Sequence, residues 1–252
     1  MGSKLPGGQT LTFFSPPCVL SYANSVGKKE GEGPLSACFD YIAQDDSFGQ
    51  SSWEKAEQAM QKMALTLALE KGELSVSGLD LLFAGDLLNQ CISSGYAARG
   101  QDVPYFGLYG ACSTMGEGLI LAAMSLDGGF GQKVAAVASS HFCSAERQYR
   151  TPLEYGGQRA PTAQWTVTGA GAVVLCTEGT GPQITHATVG KVVDKGIKDA
   201  NNMGAAMAPE DVKLTPCVTH IRYAALLSTH NFSAKGGRSV KSHSDSVQRC
   251  KP

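Results

Sequence analysis

Cys112 offers the most specific chemistry in this chain. It sits in Gly110-Ala111-Cys112-Ser113-Thr114, between the apolar run Val103 to Tyr109 and a stretch with helical spacing. A thiol at a strand-to-helix turn meets unpaired backbone amides and the positive end of a helix dipole, and both favour thiolate. Gly110 permits the tight turn. The placement is that of a nucleophile elbow without the GxSxG sequence, and a small cysteine packed at a helix start fits it as well. A second cluster follows the next apolar run: Ser139-Ser140-His141, then Glu146-Arg147-Gln148-Tyr149-Arg150. In open α/β sheets ligands collect at the carboxyl ends of strands, so Cys112 and His141 are expected at one edge. A Cys-His pair would activate a nucleophile, and a histidine hydrogen-bonded to backbone is the alternative. Arg147 and Arg150 would clamp a carboxylate bidentately, or pair with Glu146 and Glu154. Asp86 and Asn89 follow another strand end. They read as polar pocket lining, or as a helix N-cap and its first turn.

The elements that must hold these residues alternate between strand and helix. Ser51-Ser52-Trp53-Glu54 has the capping-box form, with Ser51 expected to accept the Glu54 amide. Trp53, Ala56, Met60, Met63, Ala64 and Leu67 then line one helix face, and Gly72 stops it. Strands are expected at Leu79 to Ala84, Val103 to Tyr109, Val134 to Ser139, Val167 to Cys176 and His186 to Asp194, and a helix at Leu87 to Arg99. Met115, Leu119, Ile120, Ala123 and Leu126 form the inner face of a third helix, ended by Gly128-Gly129. Strands separated by helices imply parallel pairing in α/β layers, and the adjacent final pair is expected to be antiparallel.

Composition narrows the classes. The chain has 252 residues, 21 basic against 22 acidic, for a net charge of -1. That balance argues against a whole-chain nucleic-acid binder. Apolar residues at 42% and charged residues at 17% fit a globular core rather than a disordered chain. No secretory leader is read in the first 21 residues, and the two long uncharged stretches, Leu5 to Gly27 and Ala160 to Thr177, are too polar to span a membrane. The eight cysteines stand apart with no CxxC, which ranks zinc low and fits reduced thiols in a cytoplasmic-type protein. From Val212 to Pro252, seven basic residues face one acidic, a net +6, whereas the preceding 211 residues are net -7. This end reads as an anion-binding tail or as a disordered or non-native terminus.

Several ordered motifs carry a resemblance. They are Gly85-Asp86-Leu87-Leu88-Asn89-Gln90, Gly110 to Met115, Ser139-Ser140-His141, Ala145-Glu146-Arg147-Gln148 with Glu154-Tyr155-Gly156-Gly157-Gln158, Thr166 to Leu175, and Met203-Gly204-Ala205-Ala206-Met207-Ala208-Pro209. Together, over residues 6 to 210, they resemble the stage V sporulation protein AD family, itself similar to thiolases and β-ketoacyl synthases. The resemblance implies an α/β, thiolase-like layered αβαβα fold. Residues 1–210 would be its N-terminal half, and residues 211–252 an aberrant basic tail after a truncation or frameshift, with most of the C-terminal half missing. It implies a sporulation protein that binds dipicolinic acid (pyridine-2,6-dicarboxylic acid) and assists its uptake into the forespore. Partners would be other proteins of the same sporulation operon at the spore inner membrane, with the protein peripheral to that membrane and a homodimer in the intact family.

Cys112 falls at the thiolase nucleophile position, which leaves a thiolase-like acyltransferase as the alternative, although catalysis is not the family's expected activity. The residues expected at the ligand are Asp86, Asn89, Cys112, Ser113, His141, Arg147 and Arg150. No cofactor and no metal site is expected. Calcium alongside the ligand stays open, because no acidic cluster has metal-loop spacing.

Overall fold

The apolar runs of the chain are gathered into one six-stranded sheet. The computed structural model describes residues 8–87, 90–146, 166–190 and 196. In chain order these form β1 (Thr10–Thr12), β2 (Cys18–Val26), α1 (Lys28–Gly31), β3 (Tyr41–Ile42), α2 (Trp53–Lys71), β4 (Leu81–Asp86), α3 (Ile92–Ala98), β5 (Tyr105–Leu108), α4 (Thr114–Asp127), β6 (Lys133–Ser140), α5 (Phe142–Glu146), β7 (Gly169–Cys176) and β8 (His186–Thr188). The large sheet has the order β3-β2-β7-β6-β4-β5, and β1 and β8 form a separate two-stranded sheet. β4 is parallel to both β5 and β6, as strands joined through helices must be. β7 runs antiparallel between β2 and β6.

The central strands are buried on both faces, so β6 and β7 read as continuous runs of small and β-branched residues. Two helices cover the faces. α4 lays Met115, Leu119, Ala122, Ala123 and Leu126 on one side, against Phe83, Ala136, Ala138, Val173 and Leu175. α2 lays Met60, Ala64, Leu65, Ala68 and Leu69 on the other, against Ala84, Val137, Ala172 and Val174. The described residues are therefore a three-layered α/β unit.

Several sequence expectations shift. The helix cap is Ser52 rather than Ser51: its Oγ accepts the Lys55 amide at 3.3 Å, because Ser52 has the extended backbone an N-cap needs. The buried stripe of α2 includes Glu57 and Gln61, while Trp53 turns partly to solvent. β4 runs on through Gly85-Asp86, which had been expected to end it, and α3 begins only at Ile92. The expected final pair does not form. β7 and β8 lie in different sheets, with β8 antiparallel to β1. β2 was not anticipated. Its buried Ser21 and Ser25 mask the strand pattern, and they are tolerated because each hydroxyl donates to an α2 carbonyl, Ala68 at 2.6 Å and Met60 at 2.8 Å.

Candidate functional site

The three parallel strands β4, β5 and β6 end at one rim. The turn after β5 carries Cys112 and Ser113, both exposed, in a short 3-10 turn leading into α4. Ser113 Oγ donates to the Gly110 carbonyl at 2.7 Å, and Thr114 Oγ1 donates to the Ala111 carbonyl at 2.8 Å. These bonds hold Ala111 at a φ of 48°, in the left-handed region. Gln90 and Cys91, in the turn after β4, have φ values of 54° and 62°. Such conformations cost about 1 kcal/mol or more each and gather where a fold holds a site. Gly85 closes the rim from below: a Cβ there would strike the Leu108 carbonyl oxygen and lie 2.5 Å from Thr114 Cγ2. Glycine is thus what lets β4, β5 and the start of α4 meet.

Asp86, fully buried at the end of β4, is a cap delivered from the strand. Its Oδ1 accepts the Cys91 amide at 3.2 Å, and its Oδ2 accepts the Ser94 amide at 3.3 Å and the Ser94 hydroxyl at 3.2 Å. The N-cap residue of α3 is Cys91 rather than Asp86, but the Asp86 carboxyl group accepts the amides of the first turn from outside the helix. Tyr105 extends the chain of bonds by donating to Ser94 Oγ at 3.2 Å. Burial raises the Cys91 thiol and the Tyr105 phenol above their usual values, and the nearby Asp86 charge adds to both.

His141 and Cys112 are not neighbours on the sheet, because β4 stands between β6 and β5. His141 also turns to the α2 layer, where its ring lies 5.3 Å from Trp53 and 5.2 Å from Phe142. Its Nε2 donates to the Asp46 carbonyl at 2.8 Å, and Nδ1 accepts the Cys143 amide at 3.2 Å. Burial lowers its pKa, and both nitrogens are occupied by backbone. The expected approach of the two side chains is replaced by the backbone-bonded histidine. The order β6-β4-β5 explains this, since strands successive in the chain are not adjacent in the sheet. Asn89, Arg147 and Arg150 lie outside the described residues.

The densest polar cluster was missed by sequence reasoning. Glu57 is 1% exposed. Its Oε1 accepts from Ser139 Oγ at 2.8 Å, and its Oε2 accepts from Ser144 Oγ at 2.7 Å and Ser93 Oγ at 3.1 Å. Gln61 donates to Ser139 Oγ at 2.6 Å and to the Gly85 carbonyl at 2.9 Å. Three hydroxyls from α3, β6 and α5 therefore converge on one carboxyl group of α2. Desolvation still dominates and pushes it up to about 7, with Asp86 adding in the same direction. Its signal in the sequence was a glutamate on the apolar stripe, four residues from both Trp53 and Gln61.

Among the described residues, no group of three or more His, Cys, Asp or Glu is gathered to hold a metal, and no helix is long and apolar enough to cross a membrane.

A family model, Stage V sporulation protein AD (SpoVAD), matches residues 7–223. The stage V sporulation protein AD of Bacillus subtilis (strain 168) is 47% identical over 206 residues, which is 82% of this chain. The chain belongs to the stage V sporulation protein AD family. That membership sets it among sporulation proteins. The chain spans 61% of the length of the Bacillus subtilis relative. The SpoVAD match ends within the basic segment that begins at residue 211. Among solved structures, the priming β-ketosynthase of the R1128 polyketide pathway is 20% identical with a TM-score of 0.43, over 72% of this chain and 54% of that one. The 3-oxoacyl-[acyl-carrier-protein] synthase III of Aquifex aeolicus VF5 is 17% identical with a TM-score of 0.42, over 64% and 53%. Likenesses this distant carry no inference about activity.

Proposed function

We propose that this chain binds dipicolinic acid at the rim formed by β4, β5 and β6 and serves its uptake into the forespore. The observation that carries the reading is the 47% identity to a stage V sporulation protein AD. The rim suits the ligand. Dipicolinate has two carboxylates flanking a flat ring, so it needs donors and a positive end to face. The start of α4 supplies the positive end, and the Ser113 turn lies directly ahead of it. Arg147 and Arg150 are proposed as carboxylate clamps, and Asn89 as a further polar contact. The partners proposed are other proteins of the sporulation operon at the spore inner membrane, with a second copy of the chain in the intact protein. Calorimetry of the full chain with dipicolinate tests the reading: saturable heat is expected, and no heat at millimolar ligand contradicts it.

A second reading is acyl transfer on Cys112, favoured by the exposure of this thiol at the head of α4. His141 offers it no base, because both its nitrogens face backbone. Incubation with acyl-CoA followed by mass spectrometry separates the two, since only acyl transfer leaves Cys112 acylated.

A further inference from the structure

Ser140 closes β6 and is 1% exposed, yet among the described residues its Oγ has no hydrogen-bond partner. An unpaired buried hydroxyl costs about 1–3 kcal/mol, so it calls for an explanation. Alternation along the strand says where it points. Ser139 donates to Glu57 of α2, and His141 packs on Trp53 of the same helix, so both face the α2 layer. Ala136 and Ala138 pack in the α4 core. Ser140 shares their face and therefore aims into the α4 layer.

The register gives its height. The first residue of α4, Thr114, lies over Gly85, and Gly85 is level with Ala138. Ser140 is two residues further along β6, roughly 7 Å past the helix start, level with the turn that carries Cys112. Its register partner on β7 is Gly169, so β7 itself contributes no side chain at that level. A donor hydroxyl thus stands buried and unused in front of the positive end of a 14-residue helix.

We propose that Ser140 is a ligand-anchoring residue, its hydroxyl donating to a carboxylate oxygen of a small planar acid seated ahead of α4. This rests on the reading that the rim takes such an acid. The experiment is calorimetry of the full chain with dipicolinate, for the unsubstituted protein, Ser140→Ala and Ser140→Cys, the cysteine keeping the volume should alanine fail to fold. Thr12→Val is the control, because Thr12 Oγ1 is also buried and without a partner among the described residues but lies on β1. The expected result is about tenfold weaker binding for both Ser140 variants, with melting temperatures no lower than the parent's and Thr12→Val binding unchanged. Parental affinity in either folded Ser140 variant overturns the inference and leaves the rim reading standing. No binding by the unsubstituted chain overturns both. A Thr12→Val loss equal to that of Ser140→Ala also overturns the inference, because the effect would then not belong to the rim.

Discussion

Replacing Glu57 by glutamine should reshape the pH dependence of stability. The carboxyl group has a folded pKa raised from 4.5 to about 7. Because the folded state binds the proton more tightly, stability from this group is fully present below about pH 4.5 and is lost as pH rises through 7. At 1.36 kcal/mol per unit, the loss approaches about 3 kcal/mol by pH 8. Glutamine cannot ionise, so the variant escapes that loss. It does forfeit a bond: its amide oxygen can take the place of Oε2 and keep Ser144 and Ser93, but its NH2 group then replaces Oε1, and the Ser139 hydroxyl loses the acceptor it donates to. One lost bond costs about 1 kcal/mol. The variant should therefore be less stable than the parent near pH 4 and about 2 kcal/mol more stable at pH 8, the two curves crossing near pH 5. Urea denaturation followed by far-UV circular dichroism at half-unit steps measures this. His141, whose pKa is lowered, has the opposite slope, contributing stability that fades as pH falls below its unfolded value. That term is common to both proteins and cancels in their difference. Parallel curves from pH 5 to 8 would refute the reasoning.

Three further outcomes follow from named contacts. Gly85→Ala should destabilise the protein by about 3 kcal/mol in a thermal or urea melt, since the added methyl meets the Leu108 carbonyl and Thr114 with nowhere to move. Imidazole nitrogen NMR should show the neutral His141 ring with its proton on Nε2 and a titration midpoint below that of a free histidine; a neutral ring protonated on Nδ1 would contradict the bonding to Asp46 and Cys143. Asp86→Ala should loosen α3 and cost about 3 kcal/mol, because the Cys91 and Ser94 amides and the Ser94 hydroxyl all bond to its buried carboxylate; hydrogen exchange at Ser94 as slow as in the parent would speak against this.

The sequence announced the layers better than the site. Gly72 and Gly128, read as helix stops, are the C-caps of α2 and α4, and the parallel set of β4, β5 and β6 follows from helices standing between apolar runs. Strand order was beyond reach. Nothing local says that β4 inserts between β5 and β6, and that insertion is what parts His141 from Cys112. β2 was hidden because Ser21, Asn24 and Ser25 look like loop residues until α2 and its neighbours satisfy them. The Glu57 cluster was hidden for a related reason. Its three serine donors are 36, 82 and 87 residues away in the chain, so no spacing rule joins them. For Asp86 the sequence leaves pocket lining and helix cap open, and its bonds to the Cys91 and Ser94 amides span five and eight residues, so they could not be read from local spacing.

The central claim is that a small planar diacid sits at the rim against the turn carrying Cys112. The exposed thiol makes that measurable: the alkylation rate of Cys112 by iodoacetamide in the folded chain, read by mass spectrometry with and without saturating dipicolinate. Several-fold slowing at Cys112, with the rates at the other cysteines unchanged, is the result expected here. An unaltered Cys112 rate at millimolar dipicolinate would contradict it.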